Sequence, residues 1–78
     1  MNFDQIEHGK TYSHPTGHFQ MILKERSKEC TCFDTGEKYK WAEFRPINLN
    51  RNMEFLKGET FTYLFWAHDN FNSLTLKN

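Results

Sequence analysis

Residues 28–41, KECTCFDTGEKYKW, set a cysteine pair, a turn signal and an aromatic–lysine alternation in immediate succession. Asp34-Thr35-Gly36 is the clearest turn in the chain, and its geometry sets which side chains of the flanking strands face inward. A two-residue loop at Thr35-Gly36 needs a positive φ at Thr35, which a β-branched residue resists. A three-residue loop places Asp34 and Thr35 in a type I turn and Gly36 in the left-handed bulge position, and it suits all three residues. That register sets Phe33 opposite Glu37, Cys32 opposite Lys38, Thr31 opposite Tyr39 and Cys30 opposite Lys40. Because Lys38 and Lys40 alternate with Tyr39 and Trp41, the rings are expected in the core with Phe33, and Cys30 and Cys32 on the lysine face.

The rest of the chain reads as further strands punctuated by turns. Gly9–His14 ends at Pro15-Thr16-Gly17, and His18–Glu25 alternates Phe19, Met21 and Leu23 against Gln20 and Lys24, with Ile22 the misfit. Glu37–Arg45 is expected to stop at Pro46, which donates no ladder hydrogen bond. Residues 51–57 read either as a short helix with Asn50 as N-cap and Gly58 beyond its end, or as a strand. Thr60–Trp66 is the strongest strand signal, with Phe61, Tyr63 and Phe65 on one face and Thr60, Thr62, Leu64 and Trp66 on the other. Ser73–Leu76 reads as a last short strand. Five to six short strands at this spacing predict an all-β fold, a small antiparallel barrel of the SH3-like or OB-like class, in one domain over residues 1–78.

Composition sets limits on function. A 78-residue chain has a thin core and needs large residues to fill it, and this one supplies eight Phe, three Tyr and two Trp but no Val. Ten basic and ten acidic side chains cancel, so no overall field draws the chain to phosphate or to an anionic membrane. Two cysteines without a leader or an apolar span point to the cytoplasm, and the Asn, Lys and Phe bias fits an AT-rich bacterial or phage gene.

Chemistry-bearing motifs are few. His14 and His18 have His-x3-His spacing and Cys30 and Cys32 add two soft ligands, a candidate zinc set that would make the chain a zinc-stabilised structural module. Structural zinc prefers about two to four residues between paired cysteines, whereas one intervening residue on a strand leaves both sulfurs parallel. The plainer reading keeps them as small, moderately apolar strand residues, with thiol pKa values lowered if Lys38 and Lys40 face them. Glu25 with Glu29, and Glu54 with Glu59, have no spacing that separates a catalytic pair from solvated charge.

Gly9–His14, Phe19–Ile22 and Phe44-Arg45-Pro46 together resemble small SH3-like barrel domains of unknown function from bacteria and phages. The resemblance covers about the first two thirds of the chain and implies no catalytic residue or cofactor. The expectation is therefore a non-enzymatic, cytoplasmic binding module whose partner is a protein, a second copy of the chain included, and not a membrane. Arg45, Tyr63, Trp66, Lys38 and Lys40 are the candidate contact residues, by the preference of interfaces for Trp, Tyr and Arg. The alternative is single-stranded nucleic acid stacked on exposed rings beside Lys38, Lys40, Arg45 and Arg51.

Overall fold

Lys38–Ile47 forms the longest strand, and its two faces diverge in character along its length. Ala42 and Phe44 are fully buried on one face, which they share with Lys38, Lys40 and Pro46, while Tyr39, Trp41, Glu43 and Arg45 lie on the other. Ten residues at about 3.3 Å each span roughly 33 Å, most of the 43 Å long axis of the molecule.

The computed structural model describes residues 1–78. It is all-β: β1 (Thr11–Ser13), β2 (Gln20–Arg26), β3 (Cys30–Thr31), β4 (Lys38–Ile47) and β5 (Phe61–Trp66) form one antiparallel sheet, accompanied only by short 3₁₀ segments. β4 is the shared strand. One of its edges pairs first with β3 and then with β2, the other pairs with β5, and β1 adds to β2. No helix is long and apolar enough to cross a membrane.

A bulge at Lys24 sets the inward face of β2. Leu23 pairs with Phe44, but the next pair joins Glu25 to Glu43, so one extra residue is accommodated in β2. Without it Glu25 would turn toward the core. With it Arg26 faces inward opposite Ala42, where its Nη1 donates to the Ile6 carbonyl at 2.7 Å and its guanidinium lies 4.4 Å over the Phe3 ring. Ile22, the misfit in the alternation, lies half-buried on the outer face opposite Arg45.

The sheet curls into a half-barrel whose open side is filled by the chain ends. Phe3 and Ile6 from the N-terminal 3₁₀ turn and Leu76 from the C-terminal segment join Tyr12, Met21, Leu23, Ala42, Phe44 and Phe65 in the core. The ends are tied by main-chain bonds from Phe3 N to Phe71 O (2.9 Å), Ser73 N to Met1 O (2.7 Å) and Ser13 N to Lys77 O (3.0 Å). The N-terminal turn is held by a capping box in which the Asn2 side chain accepts from Asp4 N and Gln5 Oε1 accepts from Asn2 N. No buried side-chain nitrogen or oxygen lacks a hydrogen-bond partner.

Several expectations are corrected. In the β3–β4 hairpin Cys30 pairs with Tyr39 and Thr31 with Lys38, and Cys32 N donates to Glu37 O at 2.7 Å. The loop is thus one residue longer than expected, Phe33 to Gly36. It is closed by Gly36 N donating to Cys32 O at 2.8 Å, with Gly36 still left-handed at φ 73°. That slip of one residue reverses the faces: Cys30 shares a face with Tyr39 and not with the lysines. Phe33 sits in the loop, completely exposed, and Tyr39 and Trp41 are half-buried on the outer face rather than in the core.

β4 also continues through Pro46, because beyond Phe44 it pairs with β2 alone and an unladdered edge tolerates a residue without an N–H. Residues 51–56 are helical, as a 3₁₀ turn in which Asn50 Oδ1 caps Met53 N at 3.1 Å. Ser73–Leu76 forms no strand: the flanking Asn72 and Lys77 make isolated bridges, to Asn2 and Trp66 and to Ser13 respectively.

Two phenylalanines should therefore respond oppositely to truncation. Phe44, fully buried with its ring 5.7 Å from Tyr12 and 5.8 Å from Tyr63, should cost about 3–5 kcal/mol on Phe44→Ala, while Phe33→Ala should leave the urea midpoint essentially unchanged. A stability loss at Phe33 comparable to that at Phe44 would contradict the observed register.

Candidate binding surface

Once Ala42, Phe44, Tyr63 and Phe65 are turned inward, strand alternation carries their neighbours to the opposite face. Tyr39 pairs with Trp66, Trp41 with Leu64 and Glu43 with Thr62, and each pair shares the outer face. The Tyr39 and Trp66 ring centroids are 5.1 Å apart, and Leu64, two residues before Trp66 on the same face, is 46 % exposed. None of Tyr39, Trp41, Leu64 and Trp66 belongs to the core or packs against it.

One end of this stripe carries an ionic cluster. His68 follows β5 and lies parallel to the Trp66 ring, 6.1 Å between centroids. Its Nδ1 meets Glu37 Oε1 and its Nε2 lies 3.3 Å from Asp69 Oδ2. The hydrogen bond to Glu37 is the main reason that the His68 pKa is held above its ordinary value, with the charges of Glu37 and Asp69 adding and burial opposing. At the other end Arg45, Lys24 and Lys57 line a cleft of about 350 Å³ with Pro46, Leu49, Gly58, Glu59 and Thr60. Lys24 is 3.5 Å from Glu43, so the Glu43 carboxylate intervenes between the rings and the cleft.

Of the five predicted contact residues, Trp66 and Arg45 lie on this face, at opposite ends of it. Tyr63 is half-buried on the core side against Phe44, and desolvation raises its phenol pKa. Lys40 is also on the core side, its Nζ 4.3 Å over the Phe71 ring and 5.3 Å from the Phe3 ring centroid, where it acts as a cation–π clamp. Lys38 Nζ donates to Thr31 Oγ1 across the hairpin at 2.7 Å. Tyr39, Trp41 and Leu64 are the members of the face that the pattern did not single out as contacts. The signal was present in Ala42 and Phe44, which have the same parity as the lysines and mark that side as inward.

The two halves of the candidate zinc set lie apart. His14 stacks on Phe19 at 4.4 Å and meets Phe61, the first residue of β5, at 5.1 Å, while its Nδ1 accepts from Thr16 N at 3.2 Å. Cys30 is opposite Tyr39, which pairs with Trp66 at the last residue of β5. The five-residue rise of β5 is about 17 Å, and no three His, Cys, Asp or Glu side chains converge as metal ligands. Cys32 is instead held below the ordinary thiol pKa by the Thr35 hydroxyl and by the Thr35 and Asp34 backbone N–H groups. The loop, not Lys38 or Lys40, supplies that effect.

No known protein family, curated protein or solved structure matches the chain.

Two measurements follow from this geometry. Burial, with a smaller contribution from His18, lowers the His14 pKa, whereas Glu37 raises that of His68, so the two rings titrate on opposite sides of about 6.5. The His68 contribution to stability is full below about pH 6.5 and is lost as pH rises through its higher folded value. That of His14 is present above about pH 6.5 and is lost as pH falls through its lower one. An NMR titration should resolve both, with Glu37→Gln returning His68 toward 6.5, and an unmoved His68 would remove the pairing. Replacing Cys30 and Cys32 together by Ser should leave the melting temperature nearly unchanged with or without a chelator. About one equivalent of bound zinc, or a chelator-sensitive fold, would contradict the separation of the ligand set.

Proposed function

We propose that the chain is a non-enzymatic binding module, a small barrel of SH3-like kind, that works in the cytoplasm by holding a protein partner on the outer face of its sheet. The observation that carries this reading is that Tyr39, Trp41, Leu64 and Trp66 line one sheet face while the core is complete without them. Trp and Tyr bury large area at small entropic cost, and they are enriched among the residues that dominate protein contacts. Glu37, Glu43 and Arg45 border the rings with both signs of charge, the composition of a polar interface rim. The job that fits an AT-biased, phage-like gene is to block or adapt a host factor.

Single-stranded nucleic acid is the second reading, favoured by the cleft of Lys24, Arg45 and Lys57 at one end of the same face. Against it stand Glu37 and Glu43 among the rings and a formal net charge of zero, which would set carboxylates where phosphates must lie.

Affinity capture from the native cell supplies the partner, and titration calorimetry discriminates the readings. A protein contact predicts weak salt dependence and a negative heat-capacity change, while a steep loss of affinity with rising salt would replace it with the phosphate reading. Trp66→Ala should weaken partner binding by about 30-fold or more and lower the melting temperature by only about 4–8 °C, the effect of roughly 1 kcal/mol in a domain this size. Loss of folding in that variant would assign Trp66 to the structural core and end its role as a contact.

A further inference from the structure

We infer that the cleft at the Phe61 end of the outer face takes the carboxylate of an aspartate or glutamate side chain of the protein partner, so that the partner's contact segment is apolar over Trp66 and acidic over Arg45. The inference rests on the reading of this face as a protein contact, and it names the chemistry that the partner brings. Two parts of the chain build the cleft. Lys24 and Arg45 stand on β2 and β4, and the connection that leaves β4 returns beside them through Leu49, Lys57, Gly58 and Thr60. Gly58, left-handed at φ 90°, turns that connection back toward β5. The backbone of Arg45 is fixed in the β2–β4 ladder opposite Ile22, while its side chain is exposed.

Charge selects the occupant. Lys24 is matched by Glu43 at 3.5 Å, but Arg45 and Lys57 form no ion pair with any carboxylate of the chain. Glu59 is the one acidic residue of the lining and stands against those two free cations, so an excess of one positive charge remains. A single carboxylate cancels that excess, and the fork of an arginine matches its two oxygens. A nucleic-acid strand brings a phosphate with every nucleotide, and the Glu43 and Glu59 carboxylates repel such a run. Pro46 and Leu49, both half-buried, give the cleft an apolar wall against which the methylenes of an acidic residue can pack. From Thr60 at the cleft to Trp66 the chain rises about 20 Å. An extended partner segment therefore places its acid about six residues from the group that covers Trp66.

A capped tetraglutamate peptide, titrated into the unmodified chain at low salt and followed by NMR, should shift the Arg45 Nε–H and the Gly58 and Thr60 amides saturably. Capped tetraglutamine should shift none of them. Arg45→Gln combined with Lys57→Gln should weaken tetraglutamate binding about fivefold or more. That double variant should keep its melting temperature, because both side chains are exposed and unpaired. Against the captured partner it should slow association several-fold at low salt, with the difference fading as salt rises, whereas Trp66→Ala weakens binding at every salt concentration. Tetraglutamate that shifts no cleft residue, or that binds the double variant equally well, would overturn the acid-binding cleft and leave the Trp66→Ala result to judge the aromatic face separately. An oligothymidylate that shifts the same residues at lower concentration than tetraglutamate would overturn it in favour of nucleic acid.

Discussion

The pairing of β4 with β2 on one edge and β5 on the other is the constraint on which the rest depends. Phe44 is the point where it converges: it pairs with Leu23 and Phe61 in the two ladders and touches the rings of Tyr12 and Tyr63. A thin core has few residues of this size to spare, so the inward parity of Ala42 and Phe44 is imposed on the whole strand. Every other residue of β4 follows from that one orientation, including the outward placement of Tyr39 and Trp41.

A half-barrel of this size leaves an open side, and here it is closed by irregular chain rather than by strand pairing. Phe3, Ile6 and Leu76 supply the apolar plug, and Arg26 and Lys40 lay their cations over the Phe3 ring at its margin. Both positive side chains reach that position through their strands: Arg26 by the bulge at Lys24, and Lys40 by the parity of Ala42. Cation–π contact lets a charged side chain sit at the edge of a core without an acidic partner. Closure by chain ends also covers the outer edge of β5 at its Trp66 end, where Asn72 bridges back to the strand.

Concentrating the core on one face frees the other. In most small domains rings are too scarce to be spent outside, yet Tyr39, Trp41, Leu64 and Trp66 are spent there, between the His68–Glu37 cluster and the basic cleft of Lys24, Arg45 and Lys57.

The all-β class, the places of the five strands and the two-faced character of Thr60–Trp66 were legible in the residues, because turn chemistry and period-two alternation are local, whereas residues 51–57 read equally as helix or strand and Ser73–Leu76 read as a strand that does not form. Which face of each strand turns inward was not legible. Around Lys38–Trp41 the alternation of lysine and ring points outward for the lysines, but the aliphatic stem of Lys40 lies along Phe3 and Phe71, and Ala42 and Phe44 outweigh it further along the same strand. A loop one residue longer than its turn residues suggested moved the cysteines, and an extra residue in β2 exchanged Glu25 for Arg26 at the core. The sequence by itself determined that strands would form and where they would turn, since those choices are made within a few residues. Only the tertiary structure decided register and facing, because a one-residue slip costs little locally and is settled by which side chains fill the shared core.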